Sequence, residues 1–347
     1  LNTVSDVPPS IDSLDLPPFR PRFPWWGADL QTIAIRLTSS RVLDLAPHTS
    51  ERLAFPMADR TGDILLGMLD HPAEAVEGRP LVLLVHGCTG SEDSAYMLNA
   101  ARHLLDRGYT VLRLNLRGCG PSRPYCREHY HLGRTADFRR VLWQIPEELT
   151  GNGIFAVGYS LGGAMLLKYL GEEGSFSPLR GAATICAPID LAANCKHMMR
   201  PRNWLYHAYL LNDMKAEALA EGASNTPEEC EAIKAARSVW EFNDRFIAPR
   251  YGFRDVEDYY ALCTPHAFMP EIRVPTMVLA ACDDPWIPVE CYRDFNWSDN
   301  PALLPVLPPA GGHIGFHAHD STQPWCDLAM EKFFDRLSAA SDQVADS

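Results

Sequence analysis

The residue group with the most direct chemical meaning in this 347-residue chain is a serine between glycines, Gly158-Tyr159-Ser160-Leu161-Gly162. The pattern G-x-S-x-G puts a hydroxyl on a sharp strand-to-helix turn, where a side chain at either glycine would collide with neighbouring backbone. The pentapeptide alone is common, so its setting carries the weight. Here the apolar run Ile154-Phe-Ala-Val157 precedes it as a buried strand, and Leu161 to Leu170 follows as a helix. An alcohol is a weak nucleophile and needs a base, and the base needs an orienting carboxylate. Both occur downstream. Asp284 lies in Asp283-Asp-Pro-Trp-Ile-Pro288, just past the apolar run Thr276 to Ala280; His313 lies in Gly311-Gly-His-Ile-Gly-Phe316, past Leu303 to Leu307. Asp284 is preferred to Asp283 because only it begins a D-x-x-[IV]-P turn, and His313 is preferred among twelve histidines because flanking glycines free its loop to reach the serine. By contrast, His103 falls on a predicted helix, and His48 and His71 precede the core strands.

Acyl transfer also requires donors for the developing oxyanion. The helix that opens after Ser160 offers the backbone N–H of Leu161, and the loop His86-Gly-Cys-Thr-Gly90 offers that of Cys88. The Cys88 thiol itself is given no part, and His86 is read as a hydrogen-bonded brace of its loop. The expected reaction is hydrolysis of a small-molecule carboxylic ester of short to medium acyl chain through an acyl-enzyme. Transfer of the acyl group to an alcohol by the same Ser160, His313 and Asp284 is the alternative. A dehalogenase would need a carboxylate where Ser160 stands, and a catalytically silent binding module would not need all of these groups together. No cofactor is called for, and no metal, since a side-chain base activates the serine. His317, His319 and Asp320 have ligand chemistry but lack an evident third and fourth ligand cluster.

Apolar runs of strand length alternate with helical patterns. Pro80 to His86, Tyr109 to Leu114, Ile154 to Val157, Gly181 to Cys186, Thr276 to Ala280 and Leu303 to Leu307 read as strands; helices are expected near Asp93 to Gly108, Thr135 to Ile145 and Leu161 to Leu170. Such alternation requires a mostly parallel sheet flanked by helices, the α/β class and specifically the α/β-hydrolase fold. Between Pro188 and about Ala267 no comparable strand run occurs, and Trp204, Tyr206, Tyr209, Met214, Trp240, Phe242, Phe246 and Tyr251 punctuate helical sequence. This predicts an inserted helical cap over residues 190–267, whose aromatics form its own core and can line an acyl pocket, between core segments 51–189 and 268–347. Residues 1–50 form a Pro- and aromatic-rich arm, with the first thirty expected to be extended and to serve packing.

A formal charge of −13 and a pI near 5.4, with no basic stripe, exclude a nucleic-acid partner. No apolar run reaches the roughly 18 residues of a membrane span, and the N-terminus lacks the pattern of a secretory signal. Ten cysteines without a C-x-x-C pair read as reduced thiols, which places the chain in the cytoplasm.

Beyond these residues the sequence resembles the YheT-like, embryogenesis-associated branch of the α/β-hydrolases, over nearly its whole length. The resemblance rests on Asp29-Leu-Gln-Thr-Ile33, Leu84-Val-His-Gly87, Asn115-Leu-Arg-Gly-Cys-Gly120, Gly158-Tyr-Ser-Leu-Gly-Gly163, Glu241-Phe-Asn-Asp244, Asp258-Tyr-Tyr260, Asp283-Asp-Pro285 and Gly311-Gly-His-Ile-Gly-Phe316. It implies an esterase or lipase-like activity, with Ser160, Asp284 and His313 at the catalytic positions. Family members often carry His before Leu-Gln-Thr, where this chain has Asp29.

Overall fold

The computed structural model describes residues 14–38 and 45–345. An eight-stranded sheet runs through the centre in the order β1-β2-β4-β3-β5-β6-β7-β8. Its strands are β1 (Thr49–Pro56), β2 (Ile64–His71), β3 (Leu81–Val85), β4 (Val111–Leu114), β5 (Ile154–Tyr159), β6 (Leu179–Ile185), β7 (Thr276–Leu279) and β8 (Leu303–Val306). From β4 to β8 every pairing is parallel, while β1 on β2 and β2 on β4 are antiparallel. All residues of β3, β4, β5 and β7 are buried, which is why they are written as mainly apolar runs; Arg113, the one charged residue among them, pairs with buried Asp70 at 2.6 Å. Each such Val, Leu or Ile contributes roughly 1.5–3 kcal/mol of transfer free energy on burial.

The helices of eight or more residues among the described residues are α1 (Ala28–Thr38), α2 (Ala95–Leu105), α3 (Ala136–Gln144), α4 (Leu161–Glu173), α5 (Leu191–Met198), α6 (Trp204–Ala218), α7 (Pro227–Ala235), α8 (Val256–Cys263) and α9 (Trp325–Ala345). Helices α5 to α8 all lie between β6 and β7, where the sequence lacks a strand run. The starts of α5, α7 and α8 are capped by side chains: Asp190 accepts from Ala193 N–H, Thr226 forms a reciprocal box with Glu229, and Asp255 accepts from Asp258 N–H. Asn243–Ile247, which begins in the Glu241-Phe-Asn-Asp segment, is a π-helical turn.

Two features differ from the sequence reading. Strands β1 and β2 lengthen the sheet at its antiparallel edge, where exposed polar residues in Thr-Ser-Glu-Arg hide the strand pattern. The arm contains a helix, α1, beginning at Ala28 after Gly27, where an entirely extended path was expected to residue 30; the prolines at 8 and 9 lie outside the described residues. The segment Asn115-Leu-Arg-Gly serves as a bracket after β4. Buried Arg117 pairs with Asp137 at 2.7 Å and Asp63 at 2.9 Å, and the Asn115 side chain bonds both ways with Glu92. A buried guanidinium is tolerable only because carboxylates surround it.

No helix among the described residues is long and apolar enough to cross a membrane.

Candidate active site

Ser160 sits between the end of β5 and the first residue of α4, with φ 49° and ψ −119°, a conformation side-chain-bearing residues rarely adopt. The turn is possible because its neighbours have no side chains. A Cβ on Gly162 would lie 2.3 Å from the His86 carbonyl oxygen, and one on Gly158 would lie 2.6 Å from Gly163 Cα. The strained turn projects the hydroxyl toward the loops that follow β7 and β8.

Those loops deliver the other two groups. His313 Nε2 is 3.0 Å from Ser160 Oγ, and His313 Nδ1 is 2.8 Å from Asp284 Oδ2. With Nδ1–H donating to the carboxylate, Nε2 is left as the acceptor that the serine proton requires. Asp284 is held in place by two further bonds, accepting from Trp286 N–H at 2.7 Å and Ile287 N–H at 3.2 Å. Asp283 points elsewhere: its Oδ1 accepts from Gly312 N–H at 2.9 Å, so the neighbouring carboxylate ties the aspartate loop to the histidine loop. A bond within its own turn was the sequence expectation; the structure adds this longer reach.

The loop after β3 approaches from the opposite side. His86 Nδ1–H donates to the Gly87 carbonyl at 2.7 Å, and its Nε2 accepts from Leu116 N–H at 3.0 Å. Both ring nitrogens are thereby used, and complete burial lowers its pKa to about 4, so His86 is a neutral brace. Cys88 and Leu161 line the same cavity as Ser160 and His313. Burial, followed by the charge of Glu217, raises the Cys88 thiol to about 12, so it stays protonated and unreactive.

The cavity has a volume of about 110 Å³. Helix α5 contributes Leu191, Asn194, Cys195 and Met198 at helical spacing, and Leu210, Met214 and Val239 add further apolar surface. Of the aromatics and Met214 that punctuate the helical sequence of this region, Met214 alone lines it, whereas Asn243, Tyr259 and Tyr260, from the segments that carry the family resemblance, do so too. Phe242 and Phe246 line a second chamber of about 50 Å³, Trp240 packs on Tyr260, and Trp204 is exposed. These aromatics mainly build the insertion and its second chamber, while Tyr259, Tyr260 and Trp286 join the aliphatic side chains around the serine.

Cys186, Asp284 and His313 are the one group among the described residues with three potential ligand atoms close together. Burial holds the Cys186 thiol well above its ordinary pKa, and the Asp284 and His313 atoms bond each other, so the donor chemistry suits a cation poorly. His317, His319 and Asp320 do not join: His317 is buried, while His319 and Asp320 pair in the open.

Two positioning elements escaped the sequence reading. The indole of Trp286 stacks on the His313 ring, with centroids 4.6 Å apart and planes 12° from parallel. The other is the arm. Thr32 Oγ1 accepts from His313 N–H at 2.9 Å; fully buried Gln31 accepts from His317 N–H at 2.7 Å and donates to the His317 carbonyl at 3.1 Å. The fit is close, since a Cβ on Gly315 would lie 2.3 Å from the Gln31 carbonyl oxygen. Asp-Leu-Gln-Thr-Ile is thus a clamp on the histidine loop, and Asp29 at its start bonds Arg202 and Tyr206 of the insertion at 2.6 and 2.8 Å. The signal was available in the run of polar Gln and Thr inside an apolar segment. Thr32→Val, nearly isosteric, removes one bond worth about 1 kcal/mol. Its kcat is expected to fall about fivefold, measured beside a melting curve; a lowered melting temperature with unchanged kcat would reduce α1 to packing.

A parallel sheet carrying this turn after its middle strand, with aspartate and histidine on the loops after β7 and β8, defines an α/β-hydrolase. Residues 80–238 match the alpha/beta hydrolase fold family model. The Pyrococcus furiosus esterase Pf2001 shares the fold, with TM-score 0.54 and 18% identity over 86% of this chain and 92% of that one. The chain is 32% identical over 295 residues to YheT of Escherichia coli, named as a candidate esterase, covering 83% of each chain, and it belongs to the YheT-like family of α/β-hydrolases. It is 30% identical to the medium-chain fatty acid ethyl ester synthase/esterase 2 of Saccharomyces cerevisiae, over 74% of this chain and 62% of that one. Phospholipase ABHD3 of Mus musculus is 31% identical; the match takes in 69% of this chain and 58% of the mouse protein.

Proposed function

We propose that the protein is a serine hydrolase that cleaves carboxylic esters of short to medium acyl chains through an acyl-enzyme. The observation that carries this reading is the chain of contacts from Ser160 Oγ through His313 to Asp284 at the edge of an apolar cavity. Ser160 Oγ attacks the ester carbonyl carbon while its proton passes to His313 Nε2, and the N–H groups of Cys88 and Leu161 receive the oxyanion. Collapse breaks the bond to the alkoxy oxygen, which leaves with the proton from His313 as an alcohol. Water then attacks the acyl-serine, giving up a proton to His313, and the carboxylic acid departs as Ser160 is reprotonated. Asp284 holds the imidazole in the useful tautomer and balances its charge throughout. The insertion of α5 to α8 acts as the cap over residues 190–267 that encloses the acyl chain, and residues 1–50 act as the arm.

The activities for which the relatives are named, an esterase candidate, an ester synthase/esterase and a phospholipase, support ester chemistry. That yeast name also supports acyl transfer as a second reading with the same residues; ester formed from acyl donor and added ethanol would reveal it. All ten cysteines are free, which fits a reducing cytoplasm.

With p-nitrophenyl esters of two to sixteen carbons, kcat/KM is expected to peak at short to medium length. Met198→Ala, which opens the cavity end of α5, should move the peak to longer chains. A profile identical in the two proteins would remove the insertion from chain-length control.

A further inference from the structure

The loop that carries Cys88 N–H is held from both ends by tyrosines. At its start Gly87 N–H donates to Tyr96 Oη at 2.9 Å; further on Thr89 N–H donates to Tyr130 Oη at 3.1 Å, and Cys88 Sγ lies 3.4 Å from the same oxygen. Thr89 needs holding, because its φ of 55° falls in the left-handed region that a β-branched residue avoids. The Tyr130 hydroxyl, having accepted from Thr89, donates its proton to Glu217 Oε2 at 2.9 Å. Glu217 is in the last turn of α6, so a helix of the insertion is joined to this loop through one phenol. None of these side chains lines the cavity at Ser160 except that of Cys88; Tyr130 and Glu217 line the second chamber behind it.

We propose that Tyr130 and Glu217 are positioning residues through which the insertion fixes the oxyanion loop. This rests on the ester-hydrolase reading for its substrate, but the labelling arm of its test does not. A carboxylate at this place would set a negative charge near the oxyanion that Cys88 must stabilise, and its charge is already felt at the Cys88 thiol. Burial, with help from Asp213 on the same helix, raises the Glu217 carboxyl to about 7, against the opposing pull of Tyr130, Cys119 and Arg123. His129 and His131, which line the same chamber, are pushed down to about 4 and about 3 by burial and bring no charge near neutrality. The sign follows: below about 7 Glu217 is uncharged and the loop works; as pH rises through that value a carboxylate forms and oxyanion stabilisation weakens.

The test compares wild type, Tyr130→Phe and Glu217→Gln by ester turnover from pH 5.5 to 9.5 and by the rate at which a fluorophosphonate labels Ser160. Labelling needs the same N–H donors but no ester substrate, so it separates failure of this relay from failure of the ester reading. Tyr130→Phe keeps the ring and loses both bonds; kcat and labelling should fall about tenfold with KM nearly constant, short of the ~100-fold or more for loss of a donor outright. Glu217→Gln still accepts from Tyr130 and cannot ionise, so the alkaline fall should disappear from its profiles. Wild-type labelling and kcat in Tyr130→Phe, or an unaltered alkaline fall in Glu217→Gln, overturns the proposal, as does a change in melting temperature alone.

Discussion

Ser160→Ala is expected to lower ester turnover about a millionfold, because loss of the nucleophile in a hydrolase of this kind costs on that order. The structure explains why nothing nearby substitutes. The Cys88 thiol is held at about 12, and Cys186 is also buried and protonated, so neither thiol is a thiolate near neutrality. Water could use His313 as a base, but only with the residual help of the oxyanion donors. The fold should be undisturbed, since alanine is smaller and the turn is set by Gly158 and Gly162 and by the bond from Ser160 N–H to the Ile185 carbonyl. The check is turnover of a p-nitrophenyl ester beside circular dichroism, with fluorophosphonate mapping to the Ser160 peptide in the wild type. Turnover within tenfold of wild type in a folded Ser160→Ala protein would exclude the mechanism.

Asp284→Asn should cost roughly ten-thousandfold, the scale seen when the acid of a serine protease triad becomes an amide. Its two carboxylate oxygens have separate duties here. Oδ1 accepts from the Trp286 and Ile287 N–H groups, and Oδ2 accepts from His313 Nδ1–H. An amide that keeps the first pair of bonds presents NH₂ to the imidazole, which must then carry its proton on Nε2 and cannot accept from Ser160. Asp283→Asn should cost only a few-fold, because the asparagine carbonyl can still accept from Gly312 N–H. Desolvation already raises the pKa of Asp283, so losing its charge removes little that the fold depends on. Parallel measurement of kcat decides the assignment: a larger loss at Asp283 would reverse it.

What could be read in the sequence follows from burial. Strands β3 to β8 are buried along nearly all their length, so their runs are mainly apolar and their ends were legible to within about two residues. β1 is an exposed edge with one buried residue, and its partner β2 alternates, so neither stood out from loop. The register of the D-x-x-I-P turn pointed to Asp284 over Asp283, and it is Asp284 that bonds His313. Chain-distant contacts carry no local pattern. Trp286 stacking on His313 and Thr32 bonding its N–H are invisible until the loops after β7 and β8 are set beside α1. The insertion was legible as helical, but which side chains faced the serine was not, because α6 is apolar around much of its circumference.

The clamp of α1 on the histidine loop joins residues 281 positions apart in the chain. It is reinforced by Arg22 N–H to the His317 carbonyl, His319 N–H to the Arg20 carbonyl, and Phe19 against Phe316 and Trp325. During synthesis the N-terminal half of this contact leaves the ribosome long before the other half exists. The nucleophile turn and its sheet can form while the imidazole is still being made, yet a chain in that state has a serine with no base. The contact between Ser160 and His313 therefore waits on the later segment, over which the segment that emerged early then folds back.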